Sequence, residues 1–356
     1  MDGERDARIA KILSAAVAAP SGDNSQPWRF VFRAPNTIEF HAIPEKDNAL
    51  FNLDGSGTFF ALGAALENAI LEAKALGFEP EVVYRGEGSL VAALVLREGG
   101  MLSGAERELQ QAIPLRHTNR KAYKKVPLTE DDQRALLAAA EGANGASLSL
   151  LEDAGVMAPI SRALTTMEET ALGNKPLHAL FFGSIFWSKE RNDAGEHGLY
   201  VYTLELPPPA RLFFKALRHW SVAKAFAKIG FPKMVAAINA KQNASASAFG
   251  VITVDRFDRA RYVEAGRLLE RVWLAAAARG MSLQIVTGLL FLARTLEQEA
   301  PAGFSEEERA LVREAYARIR KNLGSAEEPF LIFRVGYAEA PTAVSFRKPP
   351  VIAYAD

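Results

Sequence analysis

Two distant stretches of this chain carry one pattern. Residues 63–77 read GAALENAILEAKALG, and residues 266–280 read GRLLERVWLAAAARG. Leu66 aligns with Leu269, Glu67 with Glu270 and Leu71 with Leu274, and the bounding glycines fall in register. Alanine and leucine favour helix, and a glycine just past the last turn is a common stop. An apolar, strand-like run follows each stretch. Upstream, the helical pattern over 128–140 with its strand at 147–151 parallels the helical pattern over 8–19 with its strand at 28–32. This arrangement predicts two copies of one α+β unit, joined near Gly99 to Leu115. The first half is then 1–110 and the second 111–356.

Composition narrows the function classes. With 42 basic and 42 acidic residues among 356, no global field draws the chain to nucleic acid or to a membrane. The absence of cysteine excludes a disulfide framework, a thiol nucleophile and cysteine-ligated metal. His41, His178, His197 and His219 lack ligand spacing, so no metal site is expected. No run approaches the ~20 apolar residues of a membrane span, and the charged residues 1–8 lack an apolar signal core. The expected location is cytoplasmic.

Along the chain, strands at 28–32 and 37–43 read as a hairpin turning at Ala34-Pro35-Asn36. Asp54-Gly55-Ser56-Gly57-Thr58 opens a helix over 59–76. It lacks the lysine of a phosphate-binding loop, so it reads as helix entry. Strands follow at 81–84 and 90–97. Between Met157 and Ala248 the second half carries an insertion without counterpart in the first, helical over about 180–245. After the spacer Leu206-Pro207-Pro208-Pro209, apolar residues from Phe213 to Ile238 recur at helical spacing among Arg211, Lys215, Arg218, Lys224, Lys228, Lys233 and Lys241. No acid lies between Glu205 and Asp255. Three readings fit this basic amphipathic segment: a packed excursion with a solvated face, a lid over an anionic cofactor, or a membrane-surface or partner-binding helix. The first is favoured.

Two stretches carry chemistry. Pro20-Ser21-Gly22-Asp23-Asn24-Ser25-Gln26-Pro27-Trp28 links a helix to a strand, with prolines holding it semi-extended. Its hydroxyls and amides suit a planar polar heterocycle, although an empty connecting loop has the same composition. The run resembles the signature loop of the nitroreductase-like FMN-dependent oxidoreductases, Pro-Ser-x-x-Asn-x-Gln-Pro-Trp, which borders the flavin ring. The second stretch is Leu115-Arg116-His117-Thr118-Asn119-Arg120, whose arginines could fork around a phosphate or simply be solvated. It resembles the family's Arg-x-Ser-x-Arg/Lys motif. The resemblance assigns Arg116 and Thr118 to phosphate and ribityl oxygens, His117 to a further hydrogen bond, and Arg120 to flavin N1 and O2, where its charge tunes the ring.

In simple family members the flavin lies at a homodimer interface and takes one motif from each subunit. Here the loop is in the first half and the arginine motif in the second. The resemblance therefore implies a nitroreductase-like fold of two tandem copies, a fused pseudo-dimer of the double-repeat, Acg-like branch, with mixed or antiparallel sheets flanked by helices. It also implies one FMN per chain, between the halves. Thr287-Gly288 resembles a turn set against the flavin. Ser345-Phe346-Arg347-Lys348-Pro349 resembles the closing segment, with Arg347 returning to the phosphate. The cofactor-binding set is Pro20, Ser21, Gly22, Asn24, Arg116, His117, Thr118, Arg120, Thr287, Gly288 and Arg347. The flavin carries the electron chemistry, so no separate catalytic residue is expected. The implied activity is NADH- or NADPH-dependent reduction of a nitroaromatic, quinone or related small acceptor by a monomer or homodimer. The alternative is an FMN-sequestering protein whose insertion closes the flavin face.

Overall fold

The computed structural model describes residues 2–299, 301–324 and 328–355. Helix α1 (Asp2–Val17) leads through the Pro20 loop into the antiparallel hairpin β1 (Trp28–Arg33) and β2 (Thr37–Ala42). Trp28, Phe30 and Phe32 alternate inward along β1, as period-two patterning requires. Helix α2 (Ser56–Ala75) begins three residues earlier than expected, because Gly55 turns the chain at φ 73°. Strands β3 (Phe78–Tyr84) and β4 (Leu90–Glu98) and helix α3 (Gly104–Ala112) complete this part.

The chain then runs through α4 (Glu130–Ala140) and β5 (Ala146–Leu151) into the excursion. The excursion comprises α5 (Ala154–Leu164), α6 (Thr166–Gly173), α7 (Lys175–Gly183), β6 (Ile185–Phe186), α8 (Lys189–Asp193), β7 (Leu199–Tyr200), α9 (Pro208–Leu217), α10 (Trp220–Ala227) and α11 (Phe231–Asn243). After it come β8 (Ala248–Val254), α12 (Arg259–Ala278), β9 (Ser282–Ile285), α13 (Gly288–Gln298), α14 (Glu306–Leu323), β10 (Glu328–Gly336) and β11 (Ile352–Ala355). The fold class is α+β. Among the described residues, no helix is long and apolar enough to cross a membrane.

The two main sheets share a strand order. The first runs β1-β2-β4-β3 and the second β5-β8-β10-β9, every neighbouring pair antiparallel. β11 then crosses over from the far end of the chain and adds to β1 in parallel, Phe30 opposite Ile352. Each sheet packs on its own apolar cluster, one around Leu13, Phe30 and Phe40, the other around Leu268, Trp273 and Phe333.

Helices α2 and α12 join the two clusters, and their approach is reciprocal. A Cβ on Gly63 would lie 2.0 Å from the Val263 carbonyl oxygen, and one on Gly266 would lie 2.0 Å from that of Phe60. Only glycine permits so close a backbone crossing. The repeated glycines of the sequence are thus the contact points of the helix pair.

The basic segment is not one helix. Gly230, at φ 80°, separates α10 from α11, and residues 218–219 separate α9 from α10. Phe213, Phe226 and Phe231 meet edge to face with centroids 4.9–5.6 Å apart, tying the three helices together. They pack beside α6 and α7.

Candidate functional site

The connection between α1 and β1 is held in an unusual shape. Asp23, Asn24 and Gln26 have φ of 46°, 56° and 51°, each costing on the order of 1–3 kcal/mol for a residue other than glycine. Their neighbours hold them there. Asn24 Nδ2 donates to the carbonyls of Glu196 (3.2 Å) and Phe346 (3.0 Å). Gln26 Nε2 donates to the Gly195 carbonyl (2.9 Å), while its Oε1 accepts from the Lys348 N–H (2.9 Å). The Ser21 hydroxyl accepts from the Gln26 N–H (3.0 Å), and Ser25 donates to Asp47.

Those partners come from two straps, residues 184–203 of the excursion and 343–348 after β10. Together with the loop they enclose a cavity of about 60 Å³. Pro20, Ser21, Asp23 and Asn24 line one side; His117, Thr118 and Arg120 another; Leu199, Thr203, Ser345 and Arg347 close it. A larger cavity, about 290 Å³, lies on the other side of His117, between Trp273, Met281 and Pro341.

Seven of the eleven residues singled out in the sequence share the smaller cavity: Pro20, Ser21, Asn24, His117, Thr118, Arg120 and Arg347. Gly22 is in the loop but off the wall. Thr287 and Gly288 are elsewhere: the Thr287 hydroxyl accepts from the Ile332 N–H (3.3 Å), and Gly288 faces Met167. Strand β10 has drawn that turn to itself. Arg116 is behind the wall, its side chain 1 % exposed. Its Nε is 3.4 Å from Glu270 Oε1, its Cζ is 4.5 Å from the Trp273 ring centre, and its Nη2 donates to the Ala18 carbonyl (2.9 Å). The segment 213–238 does not line the cavity; the part of the excursion that does is 199–203.

Behind Arg347 and His117 is a knot of buried groups short of partners. Arg116 Nε and Nη1, Arg347 Nε, both Glu270 carboxylate oxygens and both Asn68 amide atoms have no hydrogen-bond partner among the described residues. Asn68 lies beside Glu270 without reaching hydrogen-bond geometry. Native interiors rarely leave such atoms unpaired, and a cluster of them marks a place where something polar belongs. Burial dominates the electrostatics. It raises the Glu270 carboxyl to about 7 against the attraction of Arg116, and lowers Arg347 to about 9 with help from Arg116. It also lowers Arg116 and His117, so His117 is neutral at pH 7. Arg120 is lowered by the same cause while facing Asp23, and its Nη1 donates to the Thr203 carbonyl (3.2 Å).

The matching place across the α2–α12 pair is already filled. Glu67, which aligns with Glu270, pairs with Arg267 (2.8 Å) and Arg271 (3.3 Å). Arg267 also donates to the Tyr84 hydroxyl (2.7 Å). One of the two related carboxylates is therefore engaged by two arginines, while Glu270 receives no hydrogen bond among the described residues.

No family model matches the chain. An uncharacterised protein of Mycobacterium tuberculosis is 25 % identical over 345 residues, 95 % of this chain. The chain spans 47 % of that relative's length. A "Putative NAD(P)H nitroreductase" from the same organism is 26 % identical over 292 residues, 81 % of this chain and 78 % of the relative. The chain is thus similar in sequence, over most of its length, to a relative described as a nitroreductase. Among solved structures, the FMN-dependent nitroreductase of Mycobacterium smegmatis aligns at 14 % identity and TM-score 0.36, over 65 % of this chain and 88 % of that one. The NADPH:FMN oxidoreductase of Vibrio harveyi aligns at 12 % and 0.33, over 67 % and 73 %.

Sequence reasoning missed Asp23, Asn68, Glu270 and the straps. Glu270 left a readable trace: a carboxylate within the apolar run Leu268-Leu269-Glu270-Arg271-Val272-Trp273 is either paired or used. The straps left none, since Ser184, Leu199 and Thr203 are ordinary residues until the chain folds back.

Proposed function

We propose that the chain is an FMN-dependent oxidoreductase, fused from two nitroreductase-like halves, that passes electrons from NADH or NADPH to a small acceptor such as a nitroaromatic or quinone. The observation that carries this reading is the meeting of Ser21 and Asn24, from one half, with His117, Thr118, Arg120 and Arg347, from the other, at a single cavity. The shared strand order and the reciprocal glycine contacts support the fusion. A monomer then contains every part of the site.

The donor set fits FMN. Guanidinium nitrogens of Arg116 and Arg347 that lack hydrogen-bond partners suit a phosphate. His117 and Thr118 offer hydrogen bonds to phosphate and ribityl oxygens. Pro20, Ser21 and Asn24 would border the ring, and Arg120 would supply fixed positive charge beside it. Bound FMN supplies the two-electron chemistry between nicotinamide and acceptor. The space does not yet fit: about 60 Å³ falls well short of the ~300 Å³ of a small-ligand site. Entry therefore requires the straps to move.

The straps also favour a second reading, sequestration of flavin without turnover. The Gly198 N–H donates to the Asp23 carbonyl (2.8 Å), and Thr203 takes the Arg120 guanidinium, so the excursion is fastened across the cavity. One experiment separates the two. Protein reconstituted with FMN is exposed to NADPH without oxygen. Bleaching of bound flavin, followed by recolouring on addition of a nitroaromatic, supports the enzyme. Flavin that stays yellow supports sequestration, and a chain that takes up no FMN defeats both.

A further inference from the structure

We propose that α9, α10 and α11 form a docking face for the surface of an anionic lipid bilayer. Three observations meet there. Between Glu205 and Asp255 the sequence has seven lysines and arginines and no acid, in a chain of zero net charge. Their side chains are mostly exposed, as are the large aliphatic residues set among them: Leu212 (75 %), Ile229 (76 %), Met234 (53 %) and Ile238 (56 %). Exposed residues recur at helical spacing on α9 (Leu212, Lys215 and Ala216) and on α11 (Met234, Ala237, Ile238 and Lys241), while α10 adds Ser221 and Lys224, and Lys228 and Ile229 are exposed in the turn that follows it.

The inner faces explain why these residues stay outside. Phe213, Phe226 and Phe231 meet one another, Phe214 packs on Phe182, and Leu217 and Ala236 are buried against the protein. The apolar residues needed for packing are thus already used, and Leu212, Ile229, Met234 and Ile238 are additional to them. Exposed aliphatic side chains gathered in one segment beside lysines mark an interaction surface more than singly scattered ones do. Lysine for anionic headgroups with aliphatic residues for the acyl boundary is the division of labour of a helix lying in a membrane interface. A nucleic acid would use the charges and leave the aliphatics idle, whereas the bilayer accounts for both halves of the pattern. Association of this kind is peripheral and needs no spanning helix.

The test is sedimentation of the full-length protein with vesicles. Vesicles of equal parts phosphatidylcholine and phosphatidylglycerol should carry the protein down at low salt, and phosphatidylcholine alone should not. Reversing Lys224, Lys228 and Lys233 to glutamate should weaken binding on the order of a hundredfold. Replacing Leu212, Ile229, Met234 and Ile238 with serine leaves the charge unchanged and should weaken it about tenfold or more. All seven side chains are exposed, so unchanged circular dichroism is expected for both variants. Absence of binding to the anionic vesicles overturns the proposal. So does binding that the serine variant retains in full, which would mark plain electrostatic adsorption, or capture by RNA or polyglutamate in preference to lipid.

Discussion

Replacing Glu270 with glutamine should stabilise the protein, and by an amount that depends on pH. Glu270 and Arg116 form an ion pair with side chains 0 % and 1 % exposed, 3.4 Å apart and without hydrogen-bond geometry. Removing one partner of a buried pair ordinarily destabilises by 3–5 kcal/mol. Here the carboxylate has no donor of its own and faces Glu67 as well as two guanidiniums, so the loss of hydration exceeds the attraction. The folded state raises the carboxyl from 4.5 to about 7. A raised acid means that the native state holds its proton longer than the unfolded chain. Wild-type stability therefore falls as pH climbs from about 4.5 to 7, by about 3 kcal/mol in total, and changes no further above that. Glu270→Gln keeps the shape and removes the titration. Urea unfolding of the two proteins should agree at pH ~4 and differ by about 3 kcal/mol at pH 8, the variant being more stable. The variant should also hold FMN more tightly, because a negative charge has left the neighbourhood of the phosphate donors. A variant less stable than wild type by more than about 1 kcal/mol at pH 8 would show that attraction to Arg116 wins, and the reasoning would fail.

Other changes test neighbouring parts. Gly63→Ala drives a methyl into the Val263 carbonyl, 2.0 Å away, and should cost about 3 kcal/mol in thermal or urea unfolding. Gly173→Ala, where nothing lies within 4 Å, should be neutral or slightly stabilising. Gln26→Ala removes the bonds to Gly195 and Lys348 together, and should speed hydrogen exchange at 195–198 and 346–348 at a cost of about 1–3 kcal/mol. Arg347→Ala deletes a guanidinium that burial has already pushed down to about 9, so unfolding should change little while FMN affinity falls roughly ten- to a hundredfold by fluorescence titration.

Local pattern made much of this legible. The alternation of Trp28, Phe30 and Phe32 announced β1, the glycines at 77 and 280 closed the two long helices, and turn-forming residues between prolines marked the loop. The unread parts all depend on long-range contacts. Arg116 sits in a basic motif, yet Glu270 and Trp273 draw it inward from another helix. Thr287 lies next to a plausible glycine turn, but β10 takes its hydroxyl. The segment 211–241 has one helical periodicity and folds as three helices, because the phenylalanines find each other across the breaks at 218–219 and Gly230. The excursion does reach the cavity, through residues without amphipathic pattern.

The parallel pairing of β11 with β1 orders events during synthesis. Asn24 must wait for Phe346, 322 positions later, before its side-chain amide is satisfied. At ribosomal speed that interval is roughly 15–60 s. Until then β1 presents an open edge that could pair with another nascent chain. The first sheet is thus the first to be translated and the last to be finished, and holdase chaperones would find their target near Phe30 and Phe32.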